Sequence, residues 1–317
     1  MNLFLKVGRL RRVYTLQLIA LSALLLMAHQ AVSDRSQASK RNLPLPSRMA
    51  GVYEASNAAL PQPGLNMSHG FFSLADRQIL SKLRFFLSQC KQAGTVPLVS
   101  LEPFVEAPST SSPRQLLSDM ESGKYDDELI HIGQVLLKHP QPIILRFAHE
   151  MEVPSQYPWY YKNPADYTNL YRLVHRKLSA IAGEKLIWMW SPQGRQNANR
   201  YWPGNDVVDL IGLSIYASSA WNPGKQLESF ATIYQQKEWL GSLFKRPIIA
   251  AEVGVSGTSK QQEAWIKEAI NAYSKLNGLR GLVYFNAAQP VHVPIATGWE
   301  NWQLQPPVRA NLRLLLP

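Results

Sequence analysis

The 317-residue chain predicts a single α/β domain of the (β/α)8, or TIM-barrel, type, and three observations carry that expectation. Eight short apolar runs follow one another, most of them separated by segments of helical pattern, as strands with crossover helices require. A hydrophobic share of 46% provides for a sizeable core. Several runs end abruptly in charged or polar residues, the profile of strands whose C-terminal tips line an active mouth.

The first 33 residues stand apart from that domain. Lys6, Arg9, Arg11 and Arg12 precede the apolar run Leu16 to Met27, and Ala31-Val32-Ser33 offers small residues for cleavage before Asp34. A secretory signal peptide fits, with an uncleaved membrane anchor as the alternative; either places the body outside the cytoplasm, secreted or periplasmic. Residues 34–46 read as a linker, polar and then punctuated by proline, and 47–317 as the barrel domain.

Strands are expected over Met49 to Glu54, Ser68 to Ser73, Val96 to Glu102, Ile143 to Glu150, Leu186 to Ser191, Val207 to Ala217, Pro247 to Val253 and Leu279 to Asn286. Helices are expected over Asp76 to Ala93, Pro113 to Lys138, Pro164 to Ala182, Leu227 to Phe244 and Lys260 to Leu276, with Asp76, Asp166 and Ser259 as N-terminal caps. Pro140 and Pro142 keep helix out of the fourth run, whose alternation puts Arg146 and Glu150 on one face and Phe147 and His149 on the other. In the sixth, Gly212, Ser214 and Tyr216 share the face suited to a crowded interior, and Ile211, Leu213 and Ile215 face the helices. The first-to-second and fifth-to-sixth connections carry no obvious helix.

Composition excludes several classes of function. The single cysteine, Cys90, rules out an intrachain disulfide framework and a multi-cysteine metal site, and its apolar helical context reads as a buried thiol. Without the four leader cations the chain has 29 basic against 22 acidic residues, a formal +7 in place of +11. The excess is dispersed along the sequence, and no basic and aromatic motif points to nucleic acid. His149-Glu150-Met151-Glu152 lacks the second histidine of a helical zinc site, no Gly-x-Ser-x-Gly elbow occurs, and no glycine-rich phosphate loop is present. Neither metal nor cofactor is expected.

What remains is carboxylate chemistry. Ile143 to Glu150 and Pro247 to Val253 are apolar runs that each deliver a glutamate to a strand tip. Two carboxylates at one mouth are the minimum equipment for cleaving a glycosidic bond, one holding a proton for the leaving oxygen while the other attacks the sugar or activates water. Glu150 and Glu252 are that pair, with Glu102, His149, Ser191, Tyr216 and Asn286 at the other tips. Trp159, Tyr160 and Tyr161 follow the fourth strand, Trp188 and Trp190 lie on the fifth, and Trp202, Trp221, Trp299 and Trp302 fall in loops. As a group they suit the C–H faces of sugar rings.

Arg146-Phe147-Ala148-His149-Glu150-Met151, followed by Tyr157-Pro158-Trp159, resembles the fourth-strand signature of glycoside hydrolase family 26, a family of β-mannanases with some β-glucanases and β-1,3-xylanases in clan A of retaining (β/α)8 enzymes. Leu98 to Pro103, Trp190-Ser191-Pro192 and Val208 to Tyr216 are similar to its third, fifth and sixth strands, so the resemblance spans roughly Met49 to Asn286. It implies that Glu150 is the acid/base and Glu252 the nucleophile of a double displacement, and that Tyr216 contacts the nucleophile. The chain departs from the family pattern at Leu101, at Glu152-Val153 and at Asn286, positions around the sugar more than at the carboxylates.

The sequence thus predicts a retaining endo-β-glycanase, catalytic through Glu150 and Glu252, with His149, Tyr216, Glu102, Trp159, Trp190 and Asn286 binding substrate. Mannan, mixed-linkage glucan and an exopolysaccharide are the candidate polymers. A monomer is expected, touching membrane only through an uncleaved leader. The alternative is a non-catalytic barrel that binds exopolysaccharide during export.

Overall fold

The computed structural model describes residues 43–55, 64–105, 113–221, 226–276, 278–288 and 300–309. The expected leader and residues 34–42 of the linker lie outside them. Eight parallel strands close a barrel in chain order: β1 (Met49–Glu54), β2 (Met67–Ser73), β3 (Val96–Glu102), β4 (Ile143–Phe147), β5 (Leu186–Trp190), β6 (Leu210–Ser218), β7 (Ile248–Ser256) and β8 (Leu279–Asn286). Closure is complete, because every residue of β1 from Met49 to Glu54 has a partner on β8.

Around the barrel lie α1 (Ile79–Ala93), α2 (Pro113–Glu121), α3 (Asp126–Leu137), α4 (Pro164–Ala182), α5 (Phe230–Gln235), α6 (Trp239–Phe244) and α7 (Ser259–Tyr273). Two segments expected as single helices are each broken in two. Gly123, at φ 82°, takes the left-handed turn between α2 and α3, and a turn at Lys237 separates α5 from α6. The fifth-to-sixth connection carries a short 3₁₀ turn, Ala198–Tyr201.

The caps also differ from the expected residues. Asn163, not Asp166, accepts from the Ala165 amide, with Pro164 opening α4; Thr258, not Ser259, makes a capping box with Gln261 on α7. Asp76 bonds the Gln78 amide in the turn before α1 without being its cap.

Alternation sorts the strand side chains into two cores. Met49, Met67, Leu98, Ile144, Ile187, Met189, Leu210, Ile249, Ala251 and Val283 fill the barrel interior, with Leu43 and Leu45 of the preceding segment packed against them. The outward residues, among them Val99, Leu145, Phe147, Trp188, Trp190, Ile211, Leu213 and Ile215, meet the helices. Above the interior plug the inward positions turn polar: Ser100 and Glu102 on β3, Arg146 on β4, Ser214 on β6. That change from apolar to polar is what positions the site.

Candidate active site

Arg146 is the post around which the site stands. It is fully buried in the barrel, donating from Nε to Ser191 Oγ at 2.8 Å and from Nη1 to Ser100 Oγ at 3.2 Å, with Nη1 2.6 Å from Glu252 Oε1. A guanidinium so buried persists only when paired and hydrogen-bonded. Ser100 Oγ in turn lies 2.8 Å from His69 Nε2, extending the network to β2.

The β4 strand ends at Phe147, earlier than the sequence pattern suggests, because Ala148 and Glu150 adopt positive φ of 48° and 53°. Strict alternation therefore fails beyond Phe147, which stays in the outer core against Tyr171. Both His149 and Glu150 reach the mouth, where alternation would have sent one of them outward. Backbone bonds hold the kink: Ala148 N donates to Leu101 O at 3.2 Å and Glu150 N to Ser191 O at 2.7 Å.

The β7 strand needs a second irregularity. Its register on β6 jumps from Leu213–Ala250 to Ser214–Glu252, a bulge at Ala251 that lets Ala251 and Glu252 both face inward. Without the extra residue the Glu252 carboxylate would point into the helix layer.

Both carboxyls then hang from β6. Ser214 Oγ donates to Glu150 Oε1 and Tyr216 Oη to Glu252 Oε2, each at 2.5 Å, and Gln156 Nε2 donates to Glu150 Oε2 at 2.5 Å. Their electrostatic settings differ. Burial, and next the charge of Glu252, push Glu150 up to about 7, against the lowering effects of Ser214 and Arg146. Glu252 sits instead on the Arg146 guanidinium. Glu150 thus holds its proton in part even near neutrality, while Glu252 lies against a fixed cation.

Glu102 and His149 complete the wall. Burial, then the charge of Glu252, raises Glu102 to about 8. His149 Nε2 lies 3.1 Å from Tyr157 Oη and 4.0 Å from Glu102 Oε1; burial, with Arg146 and His69 nearby, holds the imidazole neutral.

Three expected substrate contacts are corrected by the structure. Trp190 lies on an outward position of β5, fully buried edge-on to Trp202 and Phe244 in the helix layer. Trp159 is also fully buried; it stacks on Tyr157 and donates from Nε1 to His149 O at 2.6 Å, so it braces the histidine from behind. Asn286 bridges Glu54 Oε2 and the Leu304 amide, tying β8 to β1 and to the segment after β8. Of the loop tryptophans, Trp202 stacks on Phe244, and Trp221 is 55% exposed, edge-on to Trp302, which packs against Tyr216. Trp299 lies outside the described residues.

Sequence reasoning passed over Arg146, Ser214, Gln156 and His69 as site residues. Inward alternation on β2, β4 and β6 could have found three of them. Gln156, in the turn after β4, carried no signal. Glu152 is fully buried and accepts from the Gly194 and Arg195 amides at 2.8 and 3.3 Å, so this departure from the family pattern anchors the loop after β5.

A model of glycosyl hydrolase family 26 matches residues 118–274, the stretch that carries Arg146, His149, Glu150, Tyr216 and Glu252. That stretch is just under half of the chain, and over it the sequence is similar to glycosyl hydrolase family 26.

Two relatives illustrate the likeness. A beta-1,3-xylanase of Alcaligenes sp is 27% identical over 107 residues, 32% of this chain and 22% of the relative. A mannan endo-1,4-beta-mannosidase of Thermothelomyces thermophilus is 31% identical over 116 residues, 36% of this chain and 21% of the relative. The matches thus span about a fifth of the length of these relatives. Among solved structures, the family 26 mannanase of Bacillus subtilis superposes with a TM-score of 0.55 at 16% identity, covering 86% of this chain and 90% of its own. A family 26 protein of Muricauda sp. gives 0.57 at 16% identity, covering 80% and 81%. At such identities the superpositions speak for the (β/α)8 fold.

Proposed function

We propose that this protein is a family 26 retaining endo-β-glycanase acting outside the cytoplasm, with Glu150 as acid/base and Glu252 as nucleophile. The observation that carries the reading is the unequal treatment of two carboxyls held by one strand, Glu150 pushed up to about 7 by burial and Glu252 paired with Arg146. In the first step Glu150 gives its proton to the glycosidic oxygen as Glu252 attacks the anomeric carbon. In the second, Glu150, now a carboxylate, takes a proton from the water that displaces Glu252. Tyr216 orients the nucleophile, and neutral His149 and protonated Glu102 offer hydrogen bonds to sugar hydroxyls. The activities in the relatives' names make a β-1,4-mannan and a β-1,3-xylan the first polymers to try.

The test is stereochemical and chemical together. Proton NMR in the first minutes of hydrolysis should register the β anomer, and initial appearance of the α anomer would sink the double displacement. Glu150→Ala should nearly abolish cleavage of polymer while sparing glycosylation by dinitrophenyl glycosides, which leave without a proton, and azide should partly restore turnover. Equal loss on both substrates would remove Glu150 from the acid role. A barrel that retains polymer and releases no reducing ends would favour the binding alternative.

A further inference from the structure

A second feature lies on the outside of the barrel, at the end away from the strand tips. Arg84, Leu87, Ser88 and Lys91 share one face of α1, at helical spacing, and meet Val135, Lys138, His139 and Pro140 at the end of α3 and its link to β4. Together they line a cavity of about 300 Å³ that no acidic side chain enters. Arg84, Lys91 and Lys138 have no ion-pair partner among the described residues. Behind it a fourth cation, Lys185, donates to the carbonyls of Leu137 and His139.

The floor and rim of this cavity are unusual as well. Leu87 and Val135 make the floor apolar, and His139, 5% exposed, has a buried Nε2 with no hydrogen-bond partner. Phe85 is 62% exposed, Leu137 43% and Ile130 42%, so three of the five exposed large hydrophobic residues described sit on these two helices. Unpaired cations beside exposed apolar side chains fit an anionic bilayer, which offers phosphate oxygens at one depth and acyl chain at the next. A soluble acidic polymer would use the cations and leave Phe85, Leu137 and the apolar floor without a role.

We propose that the α1–α3 face docks peripherally on an anionic phospholipid surface, with a lipid phosphate among Arg84, Lys91, Lys138 and His139 and with Phe85 and Leu137 at the headgroup level. Among the described residues no helix is long and apolar enough to cross a membrane, so this contact adds to whatever the leader contributes. Docking in this way directs the strand tips away from the lipid.

Vesicle co-sedimentation of the full chain tests it, with phosphatidylcholine alone against phosphatidylcholine mixed with phosphatidylglycerol. The leader is the same in every variant, so differences between variants report the α1–α3 face. Arg84→Gln/Lys91→Gln/Lys138→Gln should lower partition onto the anionic vesicles by about a hundredfold. Phe85→Ser/Leu137→Ser should lower it about tenfold, with thermal melts of both variants matching the parent. Equal partition of parent and triple variant overturns the proposal. So does a shift of the His139 ring resonances with inorganic phosphate while vesicle partition ignores the triple variant, which would assign the cavity to a free anion.

Discussion

Glu102 is costly to ionise in place, and that cost makes it the clearest residue-scale probe of the site. The unfolded chain releases this proton near the ordinary 4.5, whereas burial and the neighbouring Glu252 hold it in the fold up to about 8. Between those values the folded state binds more protons, so stability is fully present below about 4.5 and is lost as pH rises through about 8. Glu102→Gln cannot ionise and should gain on the order of 2–4 kcal/mol over the parent at pH 9, roughly 5–10 °C in Tm, with little difference at pH 5. Coincident melts at pH 9 would place the alkaline weakness elsewhere. His69 and His149 act in the opposite sense, since burial holds both well below the ordinary 6.5 and stability is lost as pH falls through that value. At this scale the sequence located both strand-tip glutamates, because each ends an apolar run. The direction in which Glu150 points was hidden, since it depends on left-handed backbone at Ala148 and Glu150, which neither residue type announces.

Among the elements, β6 governs the site. Its inward residues Ser214 and Tyr216 hold one carboxyl each, so strand pleat sets where Glu150 and Glu252 stand. The Ser214 hydroxyl lowers the Glu150 pKa, and Ser214→Ala should therefore raise it and move the alkaline limb of kcat/KM to higher pH from its starting point near 7. A limb that stays fixed, or moves down, would mean that another group sets it. The inward face of β6 was legible from its small residues. The bulge on β7 was not, because nothing in Ala250-Ala251-Glu252 marks an extra residue until the register against β6 is known. Trp190 shows the reverse failure: aromatic content drew it into the expected site, while its place one residue before inward Ser191 already put it on the outer face.

For the molecule as a whole, the barrel type follows from the order of runs and helical segments, and the strands β1, β3 and β8 fall on the expected residues. The cation cluster on α1 and α3 escaped notice because Lys138 is far along the chain from Arg84 and Lys91, and only the helix layer brings them together. Closure depends on the β1–β8 seam, where Asn286 satisfies Glu54 and the Leu304 amide and Arg309 adds a contact of 3.1 Å to Glu54. Asn286→Ala removes the partners of Glu54 Oε2 and of the Leu304 amide and should cost about 2–4 kcal/mol, roughly a 5–15 °C fall in Tm; an unchanged melt would show that water replaces the amide. The seam also sets a schedule for synthesis. Met49 is tied to Tyr273 and to β8, so the barrel cannot shut until more than 220 residues separate its first strand from the growing end. A nascent chain that has reached Val255 already carries Glu150, Glu252 and all of their anchors, yet β1 and β7 are still open edges, able to pair with a neighbour. The hardware for chemistry is therefore finished before the vessel that protects it, and the last few strand residues decide whether a newly made chain closes on itself or on another.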